Sequence, residues 1–513
     1  MVNLRFCILA LGLMFVSMNL KAGDTLSVSG KLIEMNDLLY SFRQQVYANS
    51  VMRFGQLPFS LTSVLLKGVY EDRGSAAIIQ EGDGKKQLEA DVKSFVVLNP
   101  SSRLFGSASY QNGRRNNVRW NENADFSLLY PYVTGDSLGG FMKEETYRFS
   151  GGYVRAFDKW RLATELKYRA MLAYRDKDPR PRNIVSDLEL QLSASRLLKS
   201  FYHLGTSFSL RTYDQKSSIS FLGDKGSTSV YQMLGLGMDY VRFAGNEFSS
   251  QYQGLGASVS IELIPAAQHR DYDGFGISVL GSYFRLSKKL DGISQEISAL
   301  DQYNLAFETS WMKQIHRRSY GVKLEGLLHQ RLGRETIFGE QTNGVYTKLH
   351  DVEQFKSPII NLKLSGFYQM KATDHSLGGW FVLPHIGYRS FAPKYHSAGR
   401  KVKMAALNGG MQIQGMRKLA RVLLTSDLKV GYTSNISHRQ LLPGVNAQTS
   451  VGETVITNLS YLRDNHADVD FSLRGDYVWS AEYSFQLTAR WKHEKYQKNG
   501  KINLFELSLG VVF

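Results

Sequence analysis

Polar and apolar residues alternate with a period of two along most of this chain. In Ala481–Trp491 one face reads Ala481, Tyr483, Phe485, Leu487, Ala489, Trp491. The other reads Glu482, Ser484, Gln486, Thr488, Arg490. Leu162–Tyr174 sets Leu162, Leu166, Tyr168, Leu172 and Tyr174 against Glu165, Lys167 and Arg169. Asp187–Ser195 sets Leu188, Leu190 and Leu192 against Asp187, Glu189 and Gln191, and Asp468–Trp479 sets Val469, Phe471, Leu473 and Tyr477 against Asp470, Arg474 and Asp476. A helix would scatter these charges around its cylinder, so strands are the reading that sorts them. Further strands are expected near 201–213, 230–243, 251–263, 274–286, 303–316, 319–332, 357–371, 379–391, 402–415, 420–433 and 501–513, with several more in 60–157.

Each segment is roughly ten residues or longer, the length of a tilted strand that crosses a bilayer. Strands of soluble sandwiches are shorter, about five or six residues. After residue 22 no apolar run is long enough for a membrane helix. A barrel hides its membrane character by alternation, one face toward lipid and the other inward. The expected fold is therefore all-β: a transmembrane antiparallel β-barrel of roughly 16–20 strands, with 18 the best count, short periplasmic turns and long extracellular loops.

The last strand carries the most specific pattern. Phe505, Leu507, Leu509, Val511 and the terminal Phe513 occupy every second position. This resembles the C-terminal signature of outer-membrane barrels, and the resemblance implies recognition by the barrel-assembly machinery. With Phe513 periplasmic, His493–Gly500, Asn435–His466 and Gly333–Lys356 fall outside, and Gly415–Leu419 and His316–Ser319 inside. Before about residue 290 the alternation slips. The tight link at Lys199–Ser200 lands on the wrong side, which requires one strand too many or too few between 214 and 287.

The chain begins with a different pattern. Arg5 precedes an apolar run from Phe6 to Leu20, followed by Lys21-Ala22-Gly23. This is signal-peptide order, with cleavage expected after Ala22. Cys7, the only cysteine, would leave with it, which excludes disulfides, thiol catalysis and Cys-ligated metals in the mature chain. Three regions follow: a signal peptide at 1–22, an N-terminal periplasmic segment or small hatch at 23–57, and the barrel at 58–513. Asn36–Val46 is expected as a short helix, with Leu38, Leu39, Phe42 and Val46 apolar.

Aromatics make up 12% of the chain and prolines number only 10, which suits long ladders anchored at membrane interfaces. The net charge is +16, and losing Arg5 and Lys21 takes it to +14. For an exported barrel the matching anions are outer-membrane lipid head groups and lipopolysaccharide phosphates, with no call for nucleic acid. An anion-attracting pore is the sharper alternative.

The inward face has mixed charge. Candidate lumen residues are Glu165, Lys167, Arg169, Glu189, Lys323, Glu325, Arg331, Asp427, Lys429, Asp470, Arg474, Asp476, Glu482 and Arg490, with Glu308 and Glu506 beside them. Facing lipid near the midplane, each would cost a few kcal/mol. Inside, they either meet water or pair across strands. His375-Ser376 and His396-Ser397 hold residue types used in acyl hydrolysis, without the companions such a site needs. No spacing of His and carboxylates suggests a metal site, and no cofactor is implied.

One stretch is richer in motif. Gly106-Ser-Ala-Ser-Tyr110 and Asn112-Gly113 lead to Trp120-Asn121-Glu122, Tyr130-Pro-Tyr-Val133 and Asp136-Ser-Leu-Gly-Gly140, then Glu145-Thr-Tyr147 through Tyr153. Here the chain resembles an uncharacterised family of outer-membrane barrels with these elements in this order. No activity comes with the resemblance. Tyr47-Ala-Asn49-Ser-Val-Met52 is faintly similar to the Asn-Pro-Ala element near the N-terminus of fatty-acid-channel-like barrels, with Ser50 at the proline position. The aromatics read either as girdle and loop packing or as a ligand-gripping outer loop.

The function expected is a channel, or a component of an uptake or export assembly with a transporter or surface lipoprotein as partner. The alternatives are a structural, loop-displaying surface barrel and, less favoured, a barrel hydrolase. The long chain with no compact polar cluster points away from an enzyme.

Overall fold

The computed structural model describes residues 26–36, 42, 44–74, 77–199, 201–222, 229–245, 249–266, 273–293, 295–342, 345–371 and 378–513. The signal-peptide region 1–22, Leu38, Leu39 and the pair His375-Ser376 lie outside these residues.

Eighteen antiparallel strands close into one ring. They are β1 (Leu61–Asp72), β2 (Gly84–Asn99), β3 (Ser102–Val118), β4 (Gly140–Phe157), β5 (Trp160–Tyr174) and β6 (Arg180–Leu198). Then come β7 (Tyr202–Ser220), β8 (Ser250–Pro265), β9 (Gly274–Leu290), β10 (Glu296–Ile315), β11 (Arg318–Thr342) and β12 (Val345–Lys371). The ring ends with β13 (Gly378–Phe391), β14 (Arg400–Leu419), β15 (Val422–Leu441), β16 (His466–Val478), β17 (Ser484–Tyr496) and β18 (Lys501–Val512). Each strand pairs with its sequence neighbours, and β1 pairs with β18 from Ser63↔Val512 to Asp72↔Asn503. Phe513 sits at this seam, exchanging backbone hydrogen bonds of 2.7 and 2.9 Å with Thr62. Closure leaves no unpaired edge, which a sheet in lipid cannot tolerate.

The outward face is apolar. Leu66, Leu88, Leu166, Leu190, Val259 and Leu507 are all exposed there. A ring of this kind is a membrane structure, because an apolar belt of that extent is not stable in water. One rim carries two-residue turns at 100–101, 158–159, 316–317 and 420–421. Asp158, His316 and Ala420 adopt positive φ there, as such tight hairpins demand. The opposite rim carries the long connections 119–139, 221–249 and 442–465.

The count of 18 matches the sequence expectation, but the segment 230–243 is not a wall strand. Tyr231–Gly235 and Met238–Asp239 instead join Thr134–Gly135 in a separate three-stranded sheet. Removing that strand restores Lys199 to the short-turn rim. Two boundaries also move. The expected outer loop 333–356 is a strand hairpin, since β11 and β12 run on to Thr342 and Val345 and beyond Glu335 pair only with each other, past the ring. β17 starts at Ser484, later than the expected Ala481, so Glu482 falls in the exposed turn between β16 and β17, outside the lumen. At the N-terminus, helix α1 spans Val28–Asn36 and 3₁₀ turns cover Gln44–Ala48 and Ser50–Gly55, while most of the expected helix Asn36–Val46 lies outside the described residues.

Candidate functional site: the closed lumen

The lumen is filled from both ends. At the short-turn end, residues 26–36, 42 and 44–57 lie inside the ring and touch inward side chains around its circumference. Asn49 caps the Ser50–Gly55 turn through the Val51 N–H and donates from Nδ2 to Glu262 of β8 at 2.6 Å. The Ser50 N–H donates to Gln191 Oε1 at 2.8 Å, and its hydroxyl meets that of Ser193 at 2.8 Å, both on β6. Arg53 pairs with the buried Glu165 of β5 at 3.3 Å and lies 4.5 Å over the Phe105 ring. On the far side, Phe42 packs 4.5 Å from Phe367, and Asn36 reaches Asp476 at 3.5 Å. Val51 and Met52 are buried between these polar anchors.

At the outer end, the 119–139 loop and residues 229–245 fold inward. The motif residues form its frame. Arg175 donates to Glu122 at 2.8 Å and to Asp136 at 3.2 Å, and all three side chains are essentially unexposed. Burial, reinforced by Asp136, holds the Glu122 carboxyl well above the usual carboxylate range. Burial would also raise Asp136, but contacts with Glu122 and Arg175 and the Gly139 N–H hold it below that range. Two carboxyls against one cation, away from water, keep one proton between them. Asn123 accepts from the Thr134 N–H at 2.7 Å, and the Asn121 amide donates to Gln80 O at 3.0 Å. Trp120, Leu129, Tyr132 and Val133 join Met233, Leu234 and Leu236 in one apolar cluster. These aromatics are therefore packing residues. Helix α2 (Ser450–Leu462) covers them, with Leu459 in the same cluster and Asn458 bonded to Ile79 and Gln80.

Between the closures lies a polar chamber with free spaces of about 340, 590 and 810 Å³. Arg211 lines all three. Serines give much of its surface, paired as Ser207–Ser260 and Ser209–Ser258 at 2.6 Å each. The expected lumen charges form a paired ladder. Arg169 bridges Asp187 at 3.1 Å and Asp125 of the outer loop at 2.7 Å, and Arg211 grips Asp187 at 2.8 Å. Lys167 meets Glu189 at 3.0 Å and Glu165 at 3.9 Å. Lys323 meets Glu325 at 3.0 Å and Glu308 at 3.8 Å. Arg474 pairs with Asp476 at 2.8 Å. Arg490 pairs with Asp470 at 2.6 Å and lies 3.9 Å from Glu506. Lys429 lies 3.9 Å from Asp427. Arg331 reaches across to backbone carbonyls of Ser127 and Tyr130 at 2.8 and 3.1 Å. Arg148, which lines two of the spaces, bonds Gln111 at 3.1 Å and has no carboxylate within ion-pair distance among the described residues.

Sequence reasoning did not single out Arg175, Asp125, Arg211 or Glu262. Arg211 and Glu262 lie at inward-facing positions and were open to the parity argument. Arg175 lies in a loop, and nothing in the sequence ties it to Glu122. His396-Ser397 sits in the turn 396–399 after the two-residue strand Lys394–Tyr395, held through its backbone by Gln354 at 2.8 and 3.1 Å. No group of three metal-ligating side chains occurs among the described residues.

A closed ring with an apolar outside, a charged inside and long loops on one rim defines an outer-membrane β-barrel whose lumen is occupied by its own chain. The family model for a family of unknown function (DUF6850) matches residues 52–513, and the chain belongs to that family. No curated protein matches. Among solved structures, the ferric preacinetobactin receptor BauA from Acinetobacter baumannii is 9% identical over 88% of this chain and 80% of its own, with a TM-score of 0.41. The copper transporter OprC is 9% identical over 88% and 81%, with a TM-score of 0.40. The ferric citrate transporter FecA in its unliganded form is 10% identical over 88% and 78%, also at 0.40. At such scores these likenesses carry nothing about substrate.

Proposed function

We propose that this protein is a gated outer-membrane channel for small hydrophilic solutes, with residues 26–57 as the movable gate. The observation that carries this reading is the polar chamber between two closures made from the chain itself. A barrel that only displayed loops would have no use for a charged cavity beneath them. The inner closure meets the wall through hydrogen bonds, one ion pair and an apolar cluster that includes Leu32, Val51, Met52 and Phe105, and none of these contacts is part of the barrel ladder.

The Ser50–Ser193 contact allows a direct test, because Cys7 is the only native cysteine. Ser50→Cys with Ser193→Cys places two thiols where the hydroxyls lie 2.8 Å apart. Solute flux or planar-bilayer conductance of the double variant should fall on oxidation and return with reductant. Equal conductance in both redox states would rule out residues 26–57 as the gate. No conductance in any state, including a variant with Asn49→Ala and Arg53→Ala, would rule out the channel.

A further inference from the structure

Near the outer end of the wall, the lipid-facing side carries a row of cations on adjacent strands. Lys86 of β2 stands directly opposite Arg114 of β3, and Arg114 directly opposite Lys143 of β4. Outward parity is fixed by the exposed Leu66, Leu88 and Phe149 on the same faces. Each cation lies over an aromatic ring: Lys86 over Tyr70 at 5.2 Å, Arg114 over Phe141 at 5.0 Å and Lys143 over Tyr174 at 5.6 Å. The row continues through Tyr70 to Phe505 and Trp491, so aromatics extend it past the β1–β18 seam.

Like charges directly opposite one another across a strand pair repel. Lys143 is relieved by Asp176. Lys86 and Arg114 have no carboxylate within ion-pair distance among the described residues. One outward carboxylate, Glu145, lies opposite Asn112 in the row below. That lower row is otherwise mainly apolar or small, including Leu507, Gly68 and Leu88. The two rows line an outward-facing groove of about 1130 Å³. It is therefore an apolar trough in the membrane face with uncompensated positive charge at its outer lip.

We propose that this groove binds a phosphorylated glycolipid of the outer leaflet, of the lipid A type. A phosphate would bridge Lys86 and Arg114, and an acyl chain would lie over Gly68 and Leu88. The charge calls for an anion, the trough calls for a chain attached to it, and the position near the outer rim sets the leaflet. The site lies on the opposite side of the wall from the chamber, so it is independent of gating.

Binding can be read by native mass spectrometry on the full-length barrel in detergent. The probes are bisphosphorylated lipid A, the same lipid after removal of its phosphates, and phosphatidylglycerol. Wild type should retain bisphosphorylated lipid A about tenfold better than either other lipid. Lys86→Gln with Arg114→Gln should abolish that preference and leave conductance unchanged. Gly68→Phe fills the trough, and its Cβ would meet only Leu88, at ordinary contact distance. It should weaken all three lipids, with the barrel still resistant to detergent unfolding. Equal retention of lipid A by wild type and the Lys86/Arg114 variant would overturn the proposal. So would phosphatidylglycerol binding as tightly as lipid A, or Gly68→Phe leaving retention unchanged.

Discussion

At the outer end of the lumen, Arg175, Glu122 and Asp136 lie without exposure beside an apolar cluster that includes Trp120, Tyr132 and Leu234. At the inner end, Asn49, Ser50 and Arg53 reach the wall through one or two polar contacts each, and Arg53 stays a quarter exposed. Both segments block the same cavity, but their energetics differ. A buried ion cluster costs most when one member is removed, because the others stay behind without compensation. The inner closure rests instead on apolar packing of Val28, Leu32, Val51 and Met52 and on hydrogen bonds that each contribute about 1 kcal/mol, so removing one contact strands no buried charge except at Arg53–Glu165. The outer closure should act as a fixed constriction and the inner one as the part that moves.

The largest effect should come from Arg175→Met. Glu122 and Asp136 would remain buried without a cation, at a cost of about 3–5 kcal/mol. Hydrogen exchange should show protection lost across 120–136, with residues 44–57 unchanged. If both ends lost protection together, they would be one cooperative unit and the comparison would fail.

This contrast also marks where the sequence is legible. Alternation found the wall because lipid penalises every misplaced charge, so parity is enforced strand by strand. It failed at Tyr231–Gly235, where a short apolar strand in the lumen is buried on both faces and reads as a wall strand by its apolar content. Only its five-residue length and the positive φ of Gly235, Leu236 and Gly237 separate it from the wall, and φ is not visible in sequence. The lumen charges were readable one by one, but their pairs depend on register. Arg169 meets Asp187 because β5 and β6 place them opposite each other. Trp120-Asn121-Glu122 and Asp136 stood out as motif, yet their common partner Arg175 lies on another loop and becomes evident only in three dimensions.

A smaller effect is expected from pH, and it should be confined to the outer closure. The Glu122 carboxyl is raised, so its contribution is fully present below the usual carboxylate range and is lost as pH rises through its higher value. The Asp136 carboxyl is depressed, so its contribution is present above the usual range and is lost as pH falls through its lower value. Protection of 120–136 should therefore peak between these limits. Glu122→Gln should remove the alkaline loss and keep the acid one. An alkaline loss that persists in Glu122→Gln would place the titration elsewhere.

The smallest effect should come from Gly205→Ala, and it should appear only at the inner end. A Cβ at position 205 would run into the terminal methyl of Met52, which sits in the inner closure. That methyl ends a flexible side chain, so Met52 can turn aside at a cost below about 1.5 kcal/mol. The inner segment should then open up to about tenfold more often, read as more frequent single-channel openings at unchanged unit conductance. Unit conductance is set by the fixed outer constriction, so it should not move. A change in unit conductance, with opening frequency constant, would mean that the inner segment narrows the path without gating it. The roles assigned to the two ends would then be reversed.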